Sequence, residues 1–324
     1  MITYLVHLHQ HYRRHLMEVD RMSGETSMRI IGMGLGFPSI LESCRITIII
    51  DDAPAIYGRL FHKHGLSILI EAISENLKAK ILFDAGPSPG MLLHNVRALN
   101  LRLDDLDAVV LSHGHYDHTD GLPAVLKYPS RRIPVIVHPE ALNPKFTYKP
   151  HLTYIGHGLD HPFIADNGGV LTPTRKPITI TSGIRTSGEI PLNTSYEKPK
   201  GFWKMGGAGL VEDSMTDEQA LIIGLKDKGL VVVAGCAHRG IINTVRHAQR
   251  IMECKKVHAI IGGFHLSDAS DELVHMTIDA LKEDVSPDRV YPCHCTGARA
   301  IEALREAFGD RCKQLSTGDL IVLT

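Results

Sequence analysis

Short runs rich in Val and Ile recur along the chain after Met28, and Gly, Pro, Asn or Asp bounds most of them. Runs of this length and composition are typical of β-strands. They predict eleven strands, at residues 45–50, 67–71, 80–83, 108–111, 134–137, 178–181, 220–225, 230–233, 258–261, 289–291 and 320–323.

A different pattern appears in three segments after residue 235, where apolar residues recur at spacings of three and four. Such stripes predict amphipathic helices whose apolar face packs on the core. The stripes are Ile241, Val245, Ala248 and Met252, then Val274, Ile278 and Leu281, then Ile301, Leu304 and Phe308. The C-terminal third therefore alternates strand and helix, whereas the N-terminal half is rich in strands. We expect a layered α/β protein in which sheet lies between helices.

Two stretches fall outside this alternation. Residues 1–27 hold four histidines and a charged segment, and they predict a helical or disordered N-terminal extension, with a metal-binding arm as the alternative. Residues 28–324 then form the main domain. Within it, residues 140–220 are rich in Gly and Pro, which predicts a loop-rich cover over a functional site.

Composition excludes several classes of protein. With 35 basic and 36 acidic side chains, the net charge of −1 gives no general attraction to nucleic acid or to a membrane. No apolar run approaches the ~20 residues that span a bilayer, and the start does not resemble a secretory signal. Six cysteines in 324 residues do not suggest a disulfide scaffold. We expect a cytoplasmic protein with a small-molecule substrate, and homo-oligomerisation remains open.

Histidine is the unusual residue, with 20 in the chain, and four metal-ligand side chains stand together in the sequence SHGHYDH at 112–118. This segment directly follows the predicted strand DAVVL. Because side chains two apart in extended backbone point the same way, His113 and His115 can face one ion. After a turn, Asp117 and His118 can face a second. Imidazole with carboxylate suits Zn²⁺, with Mn²⁺ or Fe²⁺ as alternatives, so we expect two divalent ions.

The spacing His113-x-His115-x-Asp117-His118 resembles the signature of the metallo-β-lactamase superfamily, and LFDAG at 82–86 resembles its upstream element. GCAHRG at 235–240, GGFHL at 262–266 and PCHCTG at 292–297 are similar to a subgroup called metal-dependent hydrolases. That subgroup is also named for 7,8-dihydropterin-6-yl-methyl-4-(β-D-ribofuranosyl)aminobenzene 5′-phosphate synthase. The resemblance runs from about residue 28 to the C-terminus. It implies an αββα sandwich with a dinuclear metal site at one edge.

The resemblance also assigns expected roles to residues far from the motif. His294 stands at the position of the last histidine ligand, and Cys236 stands where the family usually has a bridging Asp. His238, two residues beyond Cys236, is expected to be a ligand or to lie beside one. Asp84 is expected to orient a histidine, and Glu189 to bind or orient a metal. Cys293 and Cys295 flank His294 and are expected to point away from the metals.

Around the ions we expect groups that move protons and groups that contact the substrate. The expected catalytic residues are Asp117, His238 and His265. The expected contacts to anionic groups of the substrate are Arg185, Lys204 and Arg239. Phe202 and Trp203 can stack on a flat ring or lie buried beneath the cover.

The expected activity is metal-dependent hydrolysis of a small, phosphorylated or pterin-like substrate. One alternative is a transferase of the synthase type, in which diphosphate is displaced from a pterin methyl group. Another is a module that binds metal or ligand without catalysis. A nuclease of the superfamily is disfavoured by the balanced charge, and a di-iron oxygen reductase is disfavoured by histidine at position 115.

Overall fold

The computed structural model describes residues 41–324 except 56, 57, 76, 130, 149 and 160, so the predicted extension at 1–27 lies outside the described residues. Seventeen strands occur in the described part: β1 (Ser43–Ile50), β2 (Ser67–Ser74), β3 (Leu77–Phe83), β4 (Ala108–Val110), β5 (Ile133–Val137), β6 (Lys145–Tyr148), β7 (Leu152–Tyr154), β8 (Gly169–Pro173), β9 (Thr179–Thr181), β10 (Ile184–Thr186), β11 (Phe202–Gly206), β12 (Gly209–Glu212), β13 (Leu221–Leu225), β14 (Gly229–Val233), β15 (Val257–Gly263), β16 (Arg289–Cys293) and β17 (Leu320–Leu323).

The α-helices of the described part are short in the first half and longer in the second. They are α1 (Pro89–Ala98), α2 (Tyr116–Thr119), α3 (Leu122–Val125), α4 (His161–Asp166), α5 (Ile241–Ile251), α6 (Asp271–Ala280) and α7 (Ala298–Phe308). Side-chain caps start two of them, because Ser88 Oγ accepts from Met91 N in α1 and Ser270 Oγ accepts from Leu273 N in α6. No helix of the described residues is long and apolar enough to cross a membrane.

Two large sheets pack face to face. The first has the order β17-β1-β2-β3-β4-β5-β8, and the second has the order β16-β15-β14-β13-β10-β9. Alternate residues of each strand point to opposite faces. In β14, for example, Val231 and Val233 join the core between the sheets, whereas Leu230 and Val232 pack against α5–α7. On the far face of the first sheet, a third core includes Leu92 and Val96 of α1.

The layers therefore run helix, sheet, sheet, helix, which confirms the αββα architecture. Each of the eleven predicted strands overlaps an observed strand, and all three helical stripes lie on α5–α7. Within the segment predicted as a loop-rich cover, 140–220, the structure has seven short strands, β6–β12, joined by irregular connections. Only β9 is predicted from the sequence, at 178–181; the other six were missed because each has only three to five residues, and several alternate polar with apolar side chains.

Four of these short strands form a separate sheet, in the order β12-β11-β6-β7, which we call the cover sheet. The residues that follow β7 return directly to the histidine-rich segment, where Tyr116 N donates to Ile155 O at 3.0 Å. The cover sheet is thus connected to the segment that carries the motif.

Another part of the cover is fixed to the N-terminus of α5 by a buried carboxylate. Glu197 accepts from the backbone N–H groups of Ile242 and Asn243, each at 2.8 Å. These are first-turn donors that lack a partner within the helix, so Glu197 caps α5 from a distant loop. Burial outweighs these hydrogen bonds and raises the pKa of Glu197 to about 7.

This raised pKa predicts a pH-dependent contribution to stability. An acid whose pKa rises from 4.5 to about 7 on folding contributes stability that is fully present below 4.5 and lost as the pH rises through about 7. We expect the advantage of the wild type over Glu197→Gln, in free energy of unfolding by urea, to shrink by roughly 2–3 kcal/mol between about pH 5 and about pH 8. Glu302→Gln on the exposed face of α7 is the matched control and is expected to change stability little. An advantage that is equal at both pH values would contradict this account.

Candidate metal centre

Chain segments that follow strands of both large sheets meet at one edge of the sandwich. From the first sheet come Asp52 after β1, Asp84 after β3 and the segment 112–118 after β4. The second sheet contributes residues after β14, β15 and β16, which are Cys236, His238, His265 and His294. Because the carboxyl ends of parallel strands lie at the same edge, this convergence follows from the topology.

Three buried imidazoles form the first group. The Nε2 atom of His113 lies 3.0 Å from His115 Nδ1 and 3.3 Å from His238 Nε2. The other ring nitrogen of His113 lies 2.9 Å from Ser112 Oγ, which leaves Nε2 directed into the group. The structure thus brings together the two motif histidines that the spacing pairs and adds His238 from the second sheet. These three residues can hold a metal ion.

The second group joins Asp117, His118, His294 and Cys236. The Nε2 atom of His118 lies 3.2 Å from His294 Nε2 and 3.2 Å from Cys236 Sγ. Asp117 Oδ2 lies 3.4 Å from His118 Nε2 and 3.5 Å from His294 Nε2. Imidazole, carboxylate and thiol are together a donor set that suits Zn²⁺.

Two carboxylates determine which nitrogen of these histidines faces the group. Asp84 Oδ2 lies 2.6 Å from His118 Nδ1, and Asp52 Oδ1 lies 2.7 Å from His294 Nδ1. Because an ionised carboxylate can only accept, each Nδ1 carries the proton. Carboxylate–histidine pairs of this kind are typical of metal sites, where they orient the ligating ring.

This arrangement provides a test of whether the residues fit a metal. Because both Nδ1 atoms are bound to carboxylates, His118 Nε2 and His294 Nε2 are directed at each other, 3.2 Å apart, and either a proton or a metal ion between them would satisfy both nitrogens. The 3.0–3.5 Å separations in both groups are close to the ~3.3 Å between ligand atoms around tetrahedral Zn²⁺. The donor set therefore fits divalent ions.

The electrostatics of the two groups differ. Burial, reinforced by neighbouring imidazoles, lowers the pKa values of His113 and His238, and burial also lowers that of His115. These rings are therefore neutral, as metal ligands must be. Burial also disfavours charge on His118, but Asp117 and Asp84 raise its pKa well above the usual histidine value. The second group thus attracts a positive charge.

A buried lysine supports the motif from the cover sheet. Lys145 Nζ, on β6, lies 2.6 Å from Asp213 Oδ2 and 2.8 Å from Asp217 Oδ1. The other oxygen of Asp217 accepts from Gly114 N at 2.9 Å, between the two motif histidines. Glycine is required at 114 because a Cβ there would lie 2.0 Å from Ala141 O. The requirement for glycine therefore comes from the close approach of the two backbone segments.

Several expected site residues have other partners. Glu189 Oε1 lies 2.9 Å from His138 Nε2 and 2.5 Å from Arg175 Nη1, so it is engaged in an ion-pair network of the cover. Cys293 packs in the core between the sheets, as expected. Cys295 does not point away, because its Sγ lies within 4.8 Å of the Cys236 sulfur and a ring nitrogen of His294.

The three cationic side chains that were expected to contact anionic groups of the substrate instead donate hydrogen bonds to protein oxygens. Arg239 donates to the carbonyl oxygens of Ile190 and Ser214 and is 9% exposed. Lys204 donates to Glu140. Arg185 donates to Ile251 O at the C-terminal end of α5, whereas Arg239 lies just before the N-terminal end of that helix. The structure therefore does not bring Arg185 to the metal groups.

Sequence reasoning overlooked three residues of the centre: Asp52, His64 and Lys145. His64 Nε2 lies 3.3 Å from Asp117 Oδ2, and its Nδ1 lies 2.9 Å from Asp52 Oδ2. The available signal was the pair Asp51-Asp52 directly after the apolar run RITIII, because acids at a strand end can reach the same edge as the motif. A single lysine such as Lys145 gives no comparable signal.

The Asp84–His118 pair leads to a specific prediction. Asp84→Asn is expected to weaken binding of the ion at the second group about 10–100-fold, because the neutral amide is a weaker hydrogen-bond acceptor than the carboxylate and orients the His118 ring less firmly. Asn also tolerates the left-handed backbone of position 84, where φ is 59°. Competition with a chelator measures the change.

The matched control is Asp288→Asn, which alters another Asp–His pair. His258 Nδ1 lies 2.8 Å from Asp288 Oδ2, and His258 is at the start of β15, the end of that strand that is farther from the metal groups. Metal affinity should be unchanged there. Equal affinities for wild type and Asp84→Asn would contradict the orienting role.

Comparison with known proteins agrees with this architecture. Residues 79–193 match the family model described as the beta-lactamase superfamily domain. A Methanocaldococcus jannaschii protein, 7,8-dihydropterin-6-methyl-4-(beta-D-ribofuranosyl)-aminobenzene-5'-phosphate synthase, is 33% identical over 287 residues, which cover 87% of this chain and 97% of the synthase. The chain therefore belongs to the metallo-β-lactamase superfamily, in the group that includes this synthase.

Two further relatives extend the comparison. An uncharacterized protein of Methanocaldococcus jannaschii is 34% identical over 262 residues, covering 81% of this chain and 94% of that protein. A crystal structure described as a metal-dependent hydrolase of the beta-lactamase superfamily superposes with a TM-score of 0.71 at 28% identity, over 86% of this chain and 98% of that one. A synthase and a hydrolase among its relatives support an enzyme.

Proposed function

We propose that this protein is a metal-dependent enzyme of the synthase type, which joins a dihydropterin methyl group to a phosphorylated ribosyl-aminobenzene. The observation that carries the proposal is the similarity to the synthase along 97% of that protein's length, in a chain that places six His and Asp donors at one sheet edge. The buried imidazoles also favour an enzyme over a surface module that only binds metal.

In this proposal the two groups of donors each hold one divalent ion, with Zn²⁺ favoured by the thiol. His113, His115 and His238 hold the first. The second is held by the group Asp117, His118, Cys236 and His294. When bound, such ions supply positive charge that lowers the pKa of water and stabilises negative charge on the substrate's phosphate oxygens.

The chain's own residues then fix ring orientation and handle protons. Asp84 and Asp52 hold the protons on Nδ1 of His118 and His294 and keep both Nε2 atoms directed inward. His265 is half-buried, and its ring centroid lies 4.2 Å from that of His238. This position supports His265 as the group that accepts a proton from the attacking aminobenzene half.

Phe202 gives the site an apolar wall. Its ring centroid lies 4.7 Å from His238, 5.4 Å from His115 and 5.7 Å from His265. It belongs to β11 of the cover sheet, so the ring that the cover contributes lies against His115 and His238, two of the proposed metal ligands. A flat pterin ring is a suitable partner for such a surface, and we propose that Phe202 contacts it.

The experiment supplies the zinc-loaded protein with a dihydropterin methyl diphosphate and 4-(β-D-ribofuranosyl)aminobenzene 5′-phosphate, and it follows products by mass spectrometry. We expect the joined product and free diphosphate in equal amounts, and neither with His113→Ala. Consumption of neither substrate by protein that has bound its metal would overturn the proposal.

Hydrolysis is the second candidate, and the 28%-identical metal-dependent hydrolase supports it. The same assay separates the two activities, because a hydrolase would release diphosphate and the pterin alcohol without the joined product. A panel of phosphoesters and carboxylic esters, tested with the same protein preparation, would then define the substrate class.

A further inference from the structure

Two cysteines meet at the site edge of the second sheet although their strands are not neighbours. Cys236 follows β14 and Cys295 follows β16, and β15 lies between these strands. The intervening strand ends at Gly263, where a Cβ would lie 2.6 Å from Cys295 Sγ and 3.3 Å from Cys236 Cα. The missing side chain at 263 therefore leaves the space in which the two cysteines approach each other.

The approach brings two sulfur atoms together beside the second metal group. The Sγ atoms of Cys236 and Cys295 lie within 4.8 Å of each other, and Cys295 Sγ lies 3.4 Å from Cys236 O. Both residues are buried and neither is in a disulfide. A disulfide requires the sulfurs to come to about 2.05 Å, so oxidation must draw the two side chains closer together than they lie here.

We propose that Cys236 and Cys295 are a redox modification site that forms a reversible disulfide, with a peroxide as the oxidant. The thiolate of one cysteine attacks a peroxide oxygen, the O–O bond breaks, and the sulfur becomes a sulfenic acid while one water leaves. The second thiol attacks that sulfur, the S–O bond breaks, and a second water leaves. Two thiols and one hydrogen peroxide thus give one disulfide and two waters.

The modification has a consequence for the metal groups, and this part rests on the proposed function. Cys236 Sγ lies 3.2 Å from His118 Nε2, among the donors of the second group. A sulfur bonded to Cys295 can no longer be a thiolate ligand. Oxidation therefore removes one donor and is expected to release the ion at the second group, and a thiol reductant is expected to restore the site.

The test treats the metal-loaded full chain with hydrogen peroxide, blocks free thiols, digests the protein and searches by mass spectrometry for a peptide pair joined through Cys236 and Cys295. We expect this pair in the wild type, its loss after dithiothreitol, and release of about one ion per chain, followed with a metal-binding dye. Cys295→Ser should give no joined pair. The control Cys312→Ser replaces a buried cysteine outside the site and should behave as the wild type.

The result that would overturn the proposal is a wild-type protein that forms no joined pair at a peroxide dose that oxidises the half-buried Cys254. Because this readout comes from the wild-type chain, it does not depend on the folding of any variant. A joined pair with unchanged metal content would support the thiol pair and would instead contradict Cys236 as a ligand in the proposed function.

Discussion

His118→Ala is expected to abolish binding of the ion at the second group, so that metal content falls from about two ions per chain to one or none. His118 Nε2 contacts both His294 and Cys236, and its Nδ1 is fixed by Asp84. The variant therefore removes the central donor of this group. Loss of metal assistance worth several kcal/mol should lower turnover about a thousandfold or more.

Elemental analysis beside a turnover assay measures both effects. The matched control is His275→Ala, which removes an exposed imidazole on α6 whose Nδ1 lies 2.7 Å from Asp271 O. It should keep wild-type metal content and rate. If His118→Ala retained the full metal content of the wild type, the second group would not be a metal site.

Lys145→Met is expected to destabilise the protein by about 3–5 kcal/mol, because it leaves Asp217 buried without its counter-charge and leaves Asp213 only the more distant Lys204, whose Nζ lies 3.7 Å from Asp213 Oδ1. The side chains of Lys145, Asp213 and Asp217 are at most 1% exposed. Asp217 also accepts from Gly114 N, so its displacement should move the His113–His115 pair and weaken the first metal group as well. Urea unfolding measures the first effect, and competition with a chelator measures the second.

A lysine on the neighbouring strand provides the control. Lys204 on β11 pairs chiefly with the partly exposed Glu140, at 2.5 Å, and lies farther from Asp213 Oδ1, at 3.7 Å; its side chain is 19% exposed. Lys204→Met should cost no more than about 1 kcal/mol, because partly exposed ion pairs contribute little. Equal losses for the two variants would show that the buried position of Lys145 has no special role.

The sequence could predict the parts of this protein in which one physical requirement dominates. Strands such as β14 are buried on both faces, so continuous Val and Ile mark them clearly. Helix α5 packs one face on the second sheet and therefore has a clear stripe at spacings of three and four. The first helix escaped prediction because α1 buries only Leu92, Asn95 and Val96, which is too short a stripe to stand out.

The residues of the candidate site likewise divide into those that a local sequence pattern predicts and those that it does not. The segment 112–118 was recognisable because chemistry constrains several adjacent positions at once. Asp52 had a weak local signal in its position after an apolar run, whereas His64 and Lys145 act through tertiary contacts over long separations and no local pattern marks them. An Asp supports a metal ligand only if a histidine from elsewhere in the chain packs beside it, and a lysine is buried only if the cover encloses it. Both depend on tertiary packing, which the local sequence does not specify.

The division of the donors between the sheets also bears on how the two halves of the chain hold together. His118 and His294 are separated by 176 residues, and each follows a strand of a different large sheet. A bound ion would join the halves across their shared edge, so its binding energy would add to the cohesion of the sandwich. Loading must then follow the meeting of both halves during folding. Chelation should in turn allow the sheets to separate first at this seam, which would appear as faster amide exchange at the ends of β4 and β16 than at their starts.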